Sequence, residues 1–312
     1  MTPSTASLRA ILVTGKGGVG KTTFAAALAR SLAGRGLRVL AAELVGSAEA
    51  DSPLARTLGV SGTVDEPQSV SPDLSFARIV PSAGHLSFLR TALPMKVMAD
   101  AAMKSSAIRR FLMAAPSLPE MGALYRLLEL VEAKHTDGSP RYQTLVVDLP
   151  ATGHALALAQ VPASILDVIP HGPIADAVRR GLGLLYDRKR TAAFVVTLPE
   201  MLPVSESLEL SQALEKHKIP VRGFVINRMP WDPFDAEQRK SLERALVTHP
   251  NVLGARLFRR SDRAKRAKER LVASGATVLA ELDERGDEGA ALMDALTTEL
   301  ARVLVGDLAG VS

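Results

Sequence analysis

Apolar positions along the chain fall into short unbroken runs of strand length, separated by longer stretches of helical period. This alternation is the pattern of repeated βαβ units and a parallel sheet. The strand-like runs lie at 10–13, 38–42, 76–80, 145–147, 193–197 and 223–226, with a further run at 251–258 read the same way. They are continuous rather than alternating, which suits strands covered on both faces. An Ala-rich helix is expected over 22–33, closed by Gly34 and Gly36, and a last helix over 289–305 with Leu292, Leu296, Leu300 and Val303 or Leu304 on one side. The stretch 85–134 differs. It holds Met95, Met98, Met103, Met113 and Met121, has no strand-like run, and is divided by Pro94, Pro116 and Pro119. Inserted helices are expected there. The expected architecture is α/β: a doubly wound, mostly parallel sheet in one domain over 1–312, carrying a Met-rich helical subdomain over 85–134.

Composition narrows the chemistry. The 312 residues include no Cys, which removes disulfides, thiolate zinc sites, iron–sulfur clusters and Cys nucleophiles. No uninterrupted apolar stretch is long enough for a membrane span, since 155–166 contains Gln160 and Pro162. The polar start, Met1-Thr2-Pro3-Ser4, lacks the layout of a signal peptide, so a cytoplasmic location is expected. The 38 basic and 33 acidic side chains leave +5, a mild bias toward an anionic ligand.

Between the first strand and the first helix stands Gly15-Lys16-Gly17-Gly18-Val19-Gly20-Lys21-Thr22, which fits G-x-x-x-x-G-K-[ST] in full. Glycines let successive backbone N–H groups wrap a phosphate, and the following helix adds the positive end of its dipole. Lys21 is expected at the β- and γ-phosphates and the Thr22 hydroxyl on Mg²⁺, with Thr23 beside them. Gly15-x-Gly17-x-x-Gly20, with Glu43 at the end of the second strand, also satisfies the dinucleotide fingerprint. Lys21-Thr22 is what a nucleoside triphosphate requires and a dinucleotide does not. Asp148, at the tip of the 145–147 run, is the second candidate Mg²⁺ ligand.

Lys16, directly after the first glycine, makes this the deviant form of the phosphate loop. It resembles that of the dimeric ATPases that include MinD, ParA, the nitrogenase iron protein and the arsenical-pump ATPases. The resemblance implies that Lys16 reaches across a dimer to the partner's nucleotide. Asp148-Leu149-Pro150-Ala151-Thr152-Gly153-His154 is similar to the D-x-A-P-T-G-H element of the arsenical-pump and tail-anchored-protein-targeting ATPases, their γ-phosphate-sensing switch II. Val195-Val196-Thr197-Leu198-Pro199-Glu200, with Ser205-Glu206-Ser207, is similar to a further segment of that family. Gly223-Phe224-Val225-Ile226-Asn227-Arg228 is similar to its strand whose Asn recognises adenine. The resemblance implies ATP and Mg²⁺ as cofactors, Pro150, Thr152, Gly153 and Asn227 around the nucleotide, a homodimer or a heterodimer with a paralogue, and a hydrophobic protein client. It also implies catalytic roles for Lys16 and Lys21.

The chain departs from that pattern in two places. The family's switch I Asp, which positions the attacking water, has no counterpart in Glu43-Leu44-Val45-Gly46-Ser47-Ala48; Glu43, Glu49 and Asp51 are the candidate substitutes. Slow or partner-dependent hydrolysis is therefore expected, with a non-hydrolysing nucleotide-gated scaffold or a partitioning ATPase as alternatives. Where the targeting members place a C-x-x-C zinc site, this chain has Trp231-Asp232-Pro233-Phe234-Asp235. Neither soft-metalloid binding nor a zinc-clamped dimer carries over. The Met-rich helices, including Met121, Leu124, Leu128 and Val131, serve either as a client groove or as core. The basic run 256–270 reads as a solvated helix face. Asp262 and Glu269 interrupt it, and nucleic acid is not expected as a partner.

Overall fold

The computed structural model describes residues 8–46, 50–61, 66–81, 84, 118–150, 153–168, 170–248 and 254–304. In chain order the elements are β1 (Ala10–Gly15), α1 (Lys21–Ala33), β2 (Val39–Leu44), α2 (Pro53–Leu58), β3 (Gln68–Ser71) and β4 (Leu74–Ile79). There follow α3 (Leu118–Glu132), β5 (Thr144–Asp148), α4 (Gly153–Val168), α5 (Pro173–Tyr186), β6 (Thr191–Thr197) and α6 (Met201–Lys216). The chain continues through β7 (Val221–Met229), α7 (Ala236–Thr248), α8 (Ala255–Ala273), β8 (Val278–Asp283) and α9 (Gly289–Val303).

The eight strands form one sheet in the order β3-β4-β2-β5-β1-β6-β7-β8. All neighbours are parallel except β3, which pairs antiparallel with β4. The doubly wound α/β architecture expected from the hydrophobic pattern is the one observed. Alternation along each strand feeds two cores. Ile11 and Val13 of β1, with Phe194 and Val196 of β6, pack under α1, α2 and α9. Ala10, Leu12, Ala193 and Val195 face α3, α4, α5, α6 and α8 on the other side. Both faces are covered, so the strands read as unbroken apolar runs.

One expectation is corrected. The run 251–258, taken for a strand, is in part the start of α8, and its residues 251–253 lie outside the described residues. Val252, Leu253, Leu257 and Phe258 satisfy either period over so short a stretch; the nineteen-residue amphipathic helix decides it. The true edge strand is β8, whose Leu279-Ala280-Glu281-Leu282 is interrupted by charge as an edge allows. Of the two readings left open for the stripe Met121, Leu124, Leu128 and Val131 of α3, these four residues take the core one: Leu124, Leu128 and Val131 are buried against the sheet, and Met121 against Ala177 and Val178 of α5. Met95, Met98, Met103 and Met113 lie outside the described residues, as does most of the expected insert. Leu296, Leu300 and Leu304 are buried as expected of the last helix, with α9 packed on α1. Among the described residues no helix is long and apolar enough to cross a membrane.

Candidate functional site

Parallel strands present their C-terminal ends along one edge, and the ends of β1, β2, β5, β6 and β7 bring the described candidates Gly15, Glu43, Asp148 and Asn227 to it. The loop after β1 begins at Gly15, whose φ is +146°; a Cβ here would sit 2.3 Å from the Val196 carbonyl oxygen on β6. Only glycine lets the backbone leave the sheet so close to its neighbour. Gly18 (φ +79°) and Gly20 (φ +91°) complete the turn in the left-handed region. Gly17 and Gly18 are open to solvent, while the Val19 side chain anchors the turn in the core. Gly20 is the N-cap of α1 and supplies no side-chain cap, so the helix's first N–H groups face the loop without a side-chain acceptor. That is a cradle for an oxyanion.

Lys21 folds back across the loop, its Nζ donating to the Lys16 carbonyl at 2.9 Å. Partial burial pushes its ammonium down from the ordinary value, opposed by Asp148. The Thr22 hydroxyl donates to Asp148 Oδ2 at 2.6 Å. Asp148 is 4% exposed, and its other oxygen, Oδ1, has no hydrogen-bond partner. Burial raises the Asp148 carboxyl to about 6, against the opposing pull of Thr22 and Lys21. An orphaned buried carboxylate oxygen beside a hydroxyl is a hard oxygen pair, which is the donor type Mg²⁺ takes. Thr23 is half-buried in the first turn of α1.

Glu43 of β2 is in register with Asp148 of β5 and is itself buried. Its carboxylate accepts a short hydrogen bond from the Ser52 hydroxyl and a long one, 3.5 Å, from the Leu54 N–H. Ser52 in turn caps α2, accepting from Ala55 N–H at 3.2 Å. Burial pushes the Glu43 carboxyl upward, the Ser52 bond opposes this, and Asp148 adds to the rise. Of the other two candidate water-positioning acids, Asp51 is exposed and pairs with Arg56 at 2.6 Å, and Glu49 lies outside the described residues.

Lys16 is half-exposed and forms an ion pair with Glu206 of α6 at 3.0 Å in the same chain. The sequence pointed to Glu206 only as part of a motif; its pairing with the loop depends on how α6 packs. Asn227, on β7, donates from Nδ2 to the Val19 carbonyl at 2.9 Å and accepts the Arg228 N–H at 3.0 Å. One N–H and one lone pair of its amide remain for a base edge. Pro150 lines a small apolar cavity with Leu44, Val45 and Gly46. Gly153 opens α4, and Thr152 lies outside the described residues. Beside Asn227 a cavity of about 420 Å³ is walled by Glu200, Met201, Leu202, Arg228, Arg263 and Glu284, among others.

The family model described as anion-transporting ATPase matches residues 8–170, more than half of the chain and the stretch from β1 through α4. ATPase BagA of Mycobacterium tuberculosis is 31% identical over 232 residues, which cover 71% of this chain and 65% of that relative. An arsenical pump-driving ATPase of Escherichia coli is 28% identical over 250 residues, covering 78% of this chain and 38% of the relative. ATPase GET3C of Arabidopsis thaliana is 22% identical over 262 residues, covering 70% and 66%. The chain thus spans just under two thirds of the length of the mycobacterial relatives it matches.

Proposed function

We propose, for a chain that belongs to the anion-transporting ATPase family, a nucleotide-driven switch that binds ATP with Mg²⁺, dimerises on it and hydrolyses it to control a protein client. The observation that carries this reading is the Thr22–Asp148 contact behind a glycine cradle with uncapped helix N–H groups. In this reading the N–H groups of 16–22 hold the β-phosphate and Lys21 moves from the Lys16 carbonyl to the β- and γ-phosphates. Thr22 and Asp148 hold the Mg²⁺, which supplies charge neutralisation at the phosphates. Asn227 takes the adenine edge. Lys16 leaves Glu206 and reaches the partner's nucleotide, stabilising charge on the transferring phosphoryl group as water displaces ADP. Pro150, Thr152 and Gly153 respond when the γ-phosphate departs.

A second reading, a nucleotide-gated scaffold that does not turn over, is favoured by one observation. Glu43, the acid nearest Asp148 at the switch I strand, has both oxygens engaged by Ser52 and Leu54 and is not free to orient a water. Steady-state ATPase and nucleotide-binding assays separate the two. Lys21→Ala is expected to weaken ATP binding at least tenfold, whereas Lys16→Ala should bind ATP like wild type and lose turnover. Absence of turnover in wild type, with ATP binding intact, would move the chain to the scaffold class. Unchanged ATP binding in Lys21→Ala would overturn both readings.

A further inference from the structure

The basic run that looks broken in the linear sequence becomes continuous once 255–273 is a helix. At 100° per residue Arg256, Arg259, Arg263, Arg266 and Arg270 of α8 fall within an arc of about 80°. All five are exposed. The buried residues Phe258, Ser261, Ala264 and Leu271 centre on the opposite side, against α6 and the sheet. Asp262 and Glu269, which interrupt the run in sequence, lie outside that arc by roughly 40° or more. Asp262 pairs with Arg266 of the stripe, one turn on, at 3.0 Å. Arg260 and Lys268 leave the stripe and are bound to Glu284 and Glu281, both at 2.6 Å. Arg256, Arg263 and Arg270 have no carboxylate partner among the described residues.

We infer that this stripe is a docking surface for the phosphate backbone of duplex nucleic acid, read without regard to sequence. Its five guanidiniums recur every three or four residues over about 21 Å of helix. A duplex carries one charge per about 1.7 Å, hence about twelve along that length, so each arginine has a phosphate within reach. Arginine stands at every position of the stripe and lysine at none, which suits forked recognition of phosphate oxygens. A lipid surface fits less well, because the exposed apolar side chains of α8, Leu257 and Val272, lie about 100° or more round the helix from the arginines and cannot insert between headgroups that the stripe contacts. A single strand fits less well again. The one aromatic residue of α8, Phe258, is largely buried, with the Arg239 guanidinium over its ring, and no base can stack on it. The inference is independent of the nucleotide reading, since the stripe stands whether or not the phosphate loop turns over ATP.

The test is fluorescence anisotropy of the full chain with labelled 30-base-pair DNA and RNA duplexes of two unrelated sequences, from 50 to 200 mM salt. Five phosphate contacts give a log–log salt slope of about −4.5, a loss of roughly 500-fold across that range. The variant Arg256→Ala/Arg270→Ala should reduce the slope to about −2.7 and bind ATP like wild type. A matched control, Arg188→Ala/Lys189→Ala, removes two exposed charges from the turn between α5 and β6 and should leave the slope unchanged. Equal weakening by both variants, or a wild-type slope shallower than about −2, would reduce the stripe to general positive charge and overturn the inference. So would stripe-dependent binding to vesicles containing one-third phosphatidylglycerol, or tighter binding to single strands than to duplex. Both arginines are exposed, so the variant's melting midpoint should match wild type; a large drop would call for the single variants, each expected to lower the slope by about one.

Discussion

At the scale of single residues, the site is a balance of burial against pairing. Asp148 sits at the end of a buried strand with one oxygen on Thr22 and the other unpartnered, and its carboxyl titrates at about 6. The folded chain without metal therefore holds a proton there between about pH 4 and 6 that the unfolded chain has released. Its stability should fall as pH rises through that window and level off above it. Mg²⁺ needs the carboxylate, so its apparent affinity should be full above pH 6 and drop about tenfold per unit below it. Isothermal titration with Mg²⁺ and ATP between pH 5 and 8 checks this, and Asp148→Asn should flatten the profile and weaken Mg²⁺. An unchanged profile in Asp148→Asn would remove Asp148 from the metal site. Much at this scale was legible beforehand. The glycines, Lys21, Thr22 and Asp148 are recognisable because phosphate chemistry leaves few residue types that serve. Glu206 and Ser52 were not legible as partners of Lys16 and Glu43, because hydroxyls and acids on helices carry no local sign of what they will meet.

At the scale of elements, the strands show most clearly where both faces are covered. β1, β5 and β6 are recognisable from unbroken apolar runs. β3 and β8 are not, since edge strands face water on part of their surface and carry Gln68, Ser69 and Glu281 among their residues. α7 escapes the hydrophobic pattern for a different reason. It buries little except Arg239, which accounts for how it is held. The Arg239 guanidinium bonds to Asp232 through both Nε and a terminal nitrogen, to Ser261 of α8 at 2.7 Å, and lies over the Phe258 ring. Removing it by Arg239→Ala takes the guanidinium from Asp232, Ser261 and the Phe258 ring at once and should cost about 2–3 kcal/mol. The loss should concentrate in 231–248, read as faster amide exchange there with β1 and β5 protection unchanged. Uniform loss of protection across the sheet would show that α7 is a structural part of the core.

At the scale of the whole molecule, the described groups proposed to act on nucleotide lie along one edge of the sheet. Lys16 faces Glu206 there and is half-exposed. If that ion pair holds the lysine at home until ATP arrives, light scattering should show a mass doubling with ATP and Mg²⁺ in wild type and none in Lys16→Ala. Glu206→Gln should reach half-dimer at several-fold lower ATP. The pair is half-exposed and worth no more than about 1 kcal/mol, so a larger shift is not expected. Equal dimerisation of wild type and Lys16→Ala would place the contact elsewhere.

What the sequence by itself determined is the layered α/β plan and the phosphate-binding core. Both follow from period and from residue type, which are local properties. What only the tertiary structure decided is every pairing between distant elements. Glu43 meets Ser52 and Asp148, Lys16 meets Glu206, Asn227 meets the loop of Val19, and five arginines fall into line on a helix that part of the sequence suggested was a strand. A side chain's partner depends on sheet order and helix phase, and these are settled by global packing of two cores on one sheet rather than by any window of the chain.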